Sequence, residues 1–345
     1  MRALSLLTAG VSLAAAFTLL PAGAAAQQYK VERFNIGGEG GFDYLAVDST
    51  SGRVYVSRGT HVMVVDGPSG NVINDLKDTP RVHGIAFAPK WNHGFTTNGG
   101  DSTSTMFDMK TMAVIKKIKA GKDGLDGIMY DDATDKILTL NHSKPMGSAV
   151  VIDAKSGDVV TTIPLNGTGP EGGVSNGKDR IYVNLEDKNA IDVINTKTWK
   201  VIATWSISPC DGPTGIAMDR ATNRIFSGCG KSSVVIDAAT GTVVGQIANG
   251  EGVDAMGWDQ SQKMLYIPAG GSGNITIAHE DSPNKITILE TIPTMKGART
   301  IAVDNTKHIA YQFTLEYGPS TAPAVAGGRP TRGPVLGAWF IVVKR

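Results

Sequence analysis

The chain has 345 residues, with 33 basic and 32 acidic side chains. This balance gives no electrostatic basis for a nucleic-acid partner, because such binding rests on neutralising many phosphates. Glycine stands at 42 residues, above the usual ~7%, and with short apolar runs it implies many tight turns rather than long helices.

At the N-terminus, Arg2 precedes an apolar stretch over residues 3–20, broken by Pro21 and Gly23 and followed by Ala24-Ala25-Ala26. This is the order of a secretory leader: basic start, apolar centre, small-residue cleavage site. Cleavage is expected after Ala26, leaving residues 27–345 as one periplasmic or secreted domain. No later segment reaches eighteen apolar residues, so no membrane span is expected in the mature chain.

From residue 44 a degenerate unit recurs. An apolar run ends in Asp or a small polar residue, then come a turn, a Tyr- or Phe-containing run, a second turn, a V-V-x-D-like run, a Ser/Thr-Gly turn and a last run. The positions equivalent to Asp48 are Ala88, Asp131, Ser175, Asp219, Asp259 and Asp304, at intervals of 40 to 45 residues. The apolar runs are short, rich in Val, Ile and Tyr, and bounded by Gly, Asp, Asn or Pro, which reads as strands. Seven copies with four strands each predict an all-β fold, a seven-bladed β-propeller of four-stranded antiparallel blades. A parallel β-helix would need shorter rungs.

The seventh copy begins at residue 300 and stops one strand short, after residues 335–345. The missing strand is predicted from residues 29–36, YKVERFNI, so that the N-terminal strand pairs with the C-terminal strand and closes the ring. With strands labelled A to D from the axis outward, Gly84, Ala86, Gly127, Gly215, Ala217 and Ala302 fall on or beside strand A, where seven sheets crowd together.

In this architecture the D–A and B–C loops share one face, here called upper. Asp43, His83, Asp126, Asp254 and Arg299 each fall two residues before the apolar run of a strand A, and Glu171 is one residue out of step. They are predicted to ring the channel mouth as a ligand-binding set. Asp in such loops also caps turns by accepting backbone N–H bonds. His61, His142 and His279 are placed in B–C loops, so His83, His142 and His279 form a candidate metal set beside the carboxylates. No cofactor is predicted. Calcium or a transition metal at the mouth is the one inorganic ligand these side chains suit.

Cys210 and Cys229 fall at the upper ends of one blade, so a disulfide is expected in an exported chain. Two long segments, residues 270–285 and 316–334, read as B–C connections overhanging the mouth. Walker loops, G-x-S-x-G elbows, H-E-x-x-H and C-x-x-C-H sequences are absent.

The runs IAMDRATNRIFSGCGKSSVVIDAATGTVVGQI and YLAVDSTSGRVYVSRGTHVMVVDGPSG resemble the bacterial YVTN-type β-propeller family, similar to secreted YncE-like proteins. Its Y-V-T-N turn is loosely matched by Y55-V-S-R58 and Y182-V-N-L185. The resemblance implies a propeller over nearly all of the mature chain and an exported protein. It implies no active-site residue. The expected function is therefore a non-catalytic scaffold binding a protein, peptide or small ligand through its upper face. The alternative is a periplasmic enzyme or subunit, either a metal-assisted lactone hydrolase or a quinoprotein-dehydrogenase-like propeller. Single-stranded DNA binding is a third reading, one the charge balance does not support.

Overall fold

The computed structural model describes residues 28–122, 124–320 and 332–345. The expected leader, Asp123 and most of the 316–334 connection lie outside them. The chain forms seven four-stranded antiparallel sheets arranged as the blades of a propeller. Among the described residues the two helical turns, Pro89–Trp91 and Glu186–Lys188, have three residues each. Among the described residues, no helix is long and apolar enough to cross a membrane.

The repeat register sets the strand ends. Strand A of each successive blade ends at Asp48, Ala88, Asp131, Ser175, Asp219, Asp259 and Asp304, the seven equivalent positions of the sequence. The physical reason is local. Asp219 Oδ1 accepts the backbone N–H of Ala221 at 2.8 Å, and Asp304 Oδ1 that of Thr306 at 2.9 Å. A carboxylate at the strand end thus bends the chain into the A–B turn. The C–D turns use the same device, as where Asp237 Oδ1 accepts from Ala239 N at 2.8 Å.

Strand B carries the core aromatics. Tyr55, Phe95, Tyr182, Phe226, Tyr266 and Tyr311 are fully buried at equivalent positions. The Tyr182 hydroxyl donates to the Ala238 carbonyl of the next blade at 3.0 Å. Tyr55 reaches Met109 O in the same way at 3.2 Å. These aromatics therefore fill inter-blade space while their polar ends lock neighbouring blades together.

Ring closure follows the predicted scheme. Lys30–Asn35 pairs antiparallel with Val335–Lys344, from Lys30 opposite Lys344 to Asn35 opposite Trp339. The closing sheet is completed by Ile309–Tyr317 and the inner strand Ala302–Asp304. Around the axis, the small residues are sterically required. A Cβ on Gly127 would overlap the Glu171 carbonyl oxygen of the next blade. Gly127→Ala is expected to cost about 1–3 kcal/mol through overpacking. The check is a lowered denaturant midpoint with an unchanged slope.

Blade six departs from the sequence reading. Residues 270–285 are not a loop over the mouth. A short turn after Ala269 leads into Asn274–Ser282, which pairs with Lys285–Pro293 as a nine-residue hairpin. Ile275, Ile277 and Ala278 are fully buried, so the apolar alternation within this segment is strand pattern. The extra length projects from the lower face.

There it carries Glu280, which is 1% exposed. Its Oε1 accepts from Thr222 Oγ1 of blade five at 2.7 Å, and its carboxyl faces Asp219. Burial and the Asp219 contact push Glu280 up to about 7, with the Thr222 hydrogen bond and, more weakly, Lys263 pulling the other way. The folded state therefore holds this proton more tightly than the unfolded chain. Its stabilising effect is complete below the ordinary carboxyl range and is lost as pH rises to about 7. Glu280→Gln, which keeps a donor toward Asp219, is expected to melt like the parent near pH 4.5. At pH 8 it should be more stable, by up to about 3 kcal/mol. Paired melts at the two pH values would show it, and equal melting at pH 8 would exclude the raised Glu280 carboxyl.

Candidate ligand-binding site at the channel mouth

The upper mouth is built by the residues that lead into strand A of successive blades. Asp43, His83, Asp126, Glu171, Asp254 and Arg299 converge there from six blades. They do not cap their own turns. Arg299 donates Nε to Asp254 Oδ2 at 2.6 Å and a terminal nitrogen to Asp43 Oδ1 at 3.0 Å. The other oxygen of Asp43 lies 2.7 Å from His83 Nδ1. His83 Nδ1 is also 3.7 Å from Asp126 Oδ1. Further round, His142 Nε2 lies 3.2 Å from Glu171 Oε1. Charges of opposite sign thus alternate around most of the mouth.

The electrostatics follow from partial burial. Burial pushes the Asp126 carboxyl up to about 7, aided by Asp43 and Glu171 and opposed by His83. Burial likewise raises Asp254 to about 6 despite Arg299. The Glu171 carboxylate beside His142 raises that imidazole to about 9. For His83, burial disfavours the charged ring, but the Asp43 hydrogen bond and the Asp126 charge outweigh it and hold the pKa above its ordinary value.

Below the belt is a cavity of about 130 Å³, lined in part by Tyr44, Gly127, Glu171, Gly215 and Asp254. The Tyr44 hydroxyl lies 3.5 Å from Glu171 Oε2, a contact between blades one and four. Burial pushes the Tyr44 phenol well above its ordinary value. The cavity therefore has glycine walls and a few acceptor groups, the pattern of a small-ligand site.

The histidines divide. His83 and His142 reach the mouth, each beside Asp126 in a group of metal-capable donors. His61 sits in the first B–C turn, 3.2 Å from Thr60 Oγ1 by its Nδ1. His279 does not join them. It pairs in register with Met264, the first residue of strand B, and so belongs to the lower face. There its Nδ1 is 2.7 Å from Asp281 Oδ1. The metal set of three histidines is corrected to two, because the blade-six segment is a long hairpin. Cys210 and Cys229 are disulfide-bonded, with Cα atoms 5.5 Å apart, and pin the fifth D–A loop to its own blade.

Two contributors escaped the sequence reading. Tyr44 was hidden as the first residue of an apolar run. Arg58 is fully buried and organises the loop that delivers Asp43. Its guanidinium donates to the carbonyls of Gly37, Gly38, Gly40 and Gly41 at 2.9–3.3 Å. It also stacks 4.7 Å over Phe313, which meets Phe42 edge-on at 5.4 Å. Arg299 in turn stacks 4.8 Å over Phe42. A column of two arginines and two rings thus connects the buried loop to the mouth.

The sequence matches no family model and no curated protein. Solved structures supply likeness of fold. A chain of Kuenenia stuttgartiensis hydrazine synthase aligns with a TM-score of 0.71 at 15% identity, over 80% of this chain and 93% of that one. The RRP9 WD40 repeats align at 0.75 and 9%, over 92% and 97%. U3-55K aligns at 0.75 and 9%, over 91% and 98%. These likenesses show the propeller alone. At such identities function must be argued from the site.

Proposed function

We propose that this chain is an exported propeller that binds a small polar ligand or peptide end at its upper mouth, without transforming it. The observation that carries this reading is the belt of opposed charges above a small acceptor-lined cavity. Its members come from six blades, so the closed ring holds them in place before any ligand arrives. The Cys210–Cys229 disulfide supports an oxidising compartment, in keeping with the leader-like N-terminus and cleavage near Ala26. The YVTN-type relationship is part of the same reading and is supported by the strand-B runs quoted above.

The test is a thermal-shift screen of amino acids, short peptides and polyamines, followed by calorimetry on the hits. A mouth ligand should bind at least about tenfold more weakly to Asp254→Asn, the loss expected from removing one charged hydrogen bond. Binding to His308→Asn, a change on the lower face, should be unaltered. Hits insensitive to Asp254→Asn would place binding elsewhere and defeat the proposal. N-terminal sequencing of exported material should begin near Gln27.

The second reading is an enzyme, favoured by one feature. His83 is oriented by Asp43, as a general base is oriented by a carboxylate. Lactone turnover abolished by His83→Gln would select it.

A further inference from the structure

Two triads of metal-capable donors occupy the mouth, Asp43–His83–Asp126 and Asp126–His142–Glu171. In each, the donor atoms lie within 4.8 Å of one another. The two are not equivalent. In the first, His83 Nδ1 is hydrogen-bonded to Asp43 at 2.7 Å, so the pair satisfies itself. In the second, the atoms Asp126 Oδ1 and His142 Nε2 are buried, on side chains 24% and 31% exposed, and neither makes a hydrogen bond. The 3.7 Å from Asp126 Oδ1 to His83 is too long for one. His142 Nε2 lies 3.2 Å from Glu171 Oε1, an ion pair rather than a hydrogen bond.

Buried polar atoms without partners are rare and call for an explanation. Here two of them converge beside Glu171, which is only 8% exposed. Two donors on a tetrahedral zinc, with bonds of about 2.1 Å, lie about 3.4 Å apart. The His142–Glu171 separation is already close to that spacing. The three residues come from blades three and four: the first strand of blade three, its B–C loop, and the first strand of blade four. Frame and donors are therefore rigidly coupled.

We propose that Asp126, His142 and Glu171 form a divalent transition-metal site of the zinc type. One imidazole and two carboxylates suit such a metal better than calcium, which takes oxygen donors. Three protein donors leave a fourth position for water or a ligand atom. This deepens the reading of the mouth as a binding site and rests on it. His83 and Asp43 stand next to the metal site without supplying ligands.

The experiment is calorimetric titration of the chelator-treated, dialysed protein with Zn²⁺ alone, with Co²⁺ absorption as an independent reading. One Zn²⁺ per chain is expected, with visible Co²⁺ bands of a low-coordinate site. Outer-shell changes weaken metal binding about 10- to 100-fold, so His142→Gln and Glu171→Gln should each exceed about 100-fold. His83→Gln should stay within about 100-fold, and His279→Gln should bind as the parent does. Metal-free melts of each variant establish that the fold persists. If His142→Gln fails to fold, the Co²⁺ spectrum of the parent decides. Absence of stoichiometric Zn²⁺, binding that survives His142→Gln, or binding lost with His279→Gln would each overturn the site. The ligand screen reads Asp254 without added metal, so a failed Zn²⁺ titration alongside intact ligand binding removes the metal and leaves the mouth reading standing.

Discussion

Deleting residues 335–345 is expected to abolish the cooperative fold of the whole chain, not to fray one end. This segment is strand C of the closing blade. On one side it pairs with Ile309–Tyr317, and on the other with Lys30–Asn35. Its loss strands the N-terminal strand and opens the ring. It also removes Phe340, Ile341, Val342 and Val343, all at most 1% exposed. At about 1.5–3 kcal/mol for each buried side chain, the loss is about 6–12 kcal/mol. That is comparable to the entire stability of an ordinary domain, about 5–15 kcal/mol. Near-UV circular dichroism and calorimetry should show no native transition. A truncated chain melting cooperatively near the parent temperature would refute the closure argument. A circular permutant provides the control. Joining residue 345 to residue 28 and opening the chain between residues 320 and 332 keeps every strand, because Lys344 already lies opposite Lys30. It is expected to fold.

The closure was legible in the sequence because it follows from counting. Six copies are complete, the seventh lacks a strand, and one spare strand precedes the first copy. The strand-A ends were legible because Asp bends a chain by a local hydrogen bond, independent of tertiary context. The mouth residues other than Glu171 were legible as a register position, two residues before the apolar run of an inner strand. Their pairing was not. Nothing local says that Arg299 will bridge Asp43 and Asp254, since these are 256 and 45 residues away.

Blade six failed for a related reason. Residues 270–285 contain both glycines that mark a turn and an Ile-x-Ile alternation that marks a strand. The glycines extend the turn reading over the whole segment, although the alternation begins at Ile275, five residues after Gly270. The error moved His279 to the wrong face and concealed Glu280. Residue 280 is a charged side chain in a polar run, and only the fold reveals that it is buried against Asp219. Local pattern thus located the turns, while the partner of each charged group depended on the ring.

Arg58→Ala is expected to destabilise the chain by about 3–5 kcal/mol, the range for a large buried side chain whose partners are left unpaired. Arg58 is the final residue of the Y-V-S-R match in blade one. The equivalent residues are Asn98, Asn141, Leu185, Cys229, Ala269 and Thr314, all buried. In four blades this position ties down the D–A loop that precedes the blade, and in the seventh Thr314 Oγ1 donates to Lys296 O at 3.0 Å. Asn141 donates to Ala120 O at 3.2 Å, Cys229 is bonded to Cys210, and Arg58 holds four carbonyls of the first loop. The repeat thus reserves a position for loop anchoring and fills it with different chemistry. Among the described residues no carboxylate partners the Arg58 guanidinium, and burial lowers its pKa to about 10. It therefore remains charged at neutral pH, solvated by carbonyl dipoles instead of water. Lys cannot present the same planar fork, so Arg58→Lys should recover only part of the loss. Both variants should melt lower and be cut faster by protease within residues 36–42, and ligand affinity at the mouth should fall as Asp43 loses its fixed position. Unchanged melting together with unchanged cleavage would show that the glycine loop holds its shape alone. A lowered melting temperature without faster cleavage would assign Arg58 to the packing against Phe313 rather than to the loop.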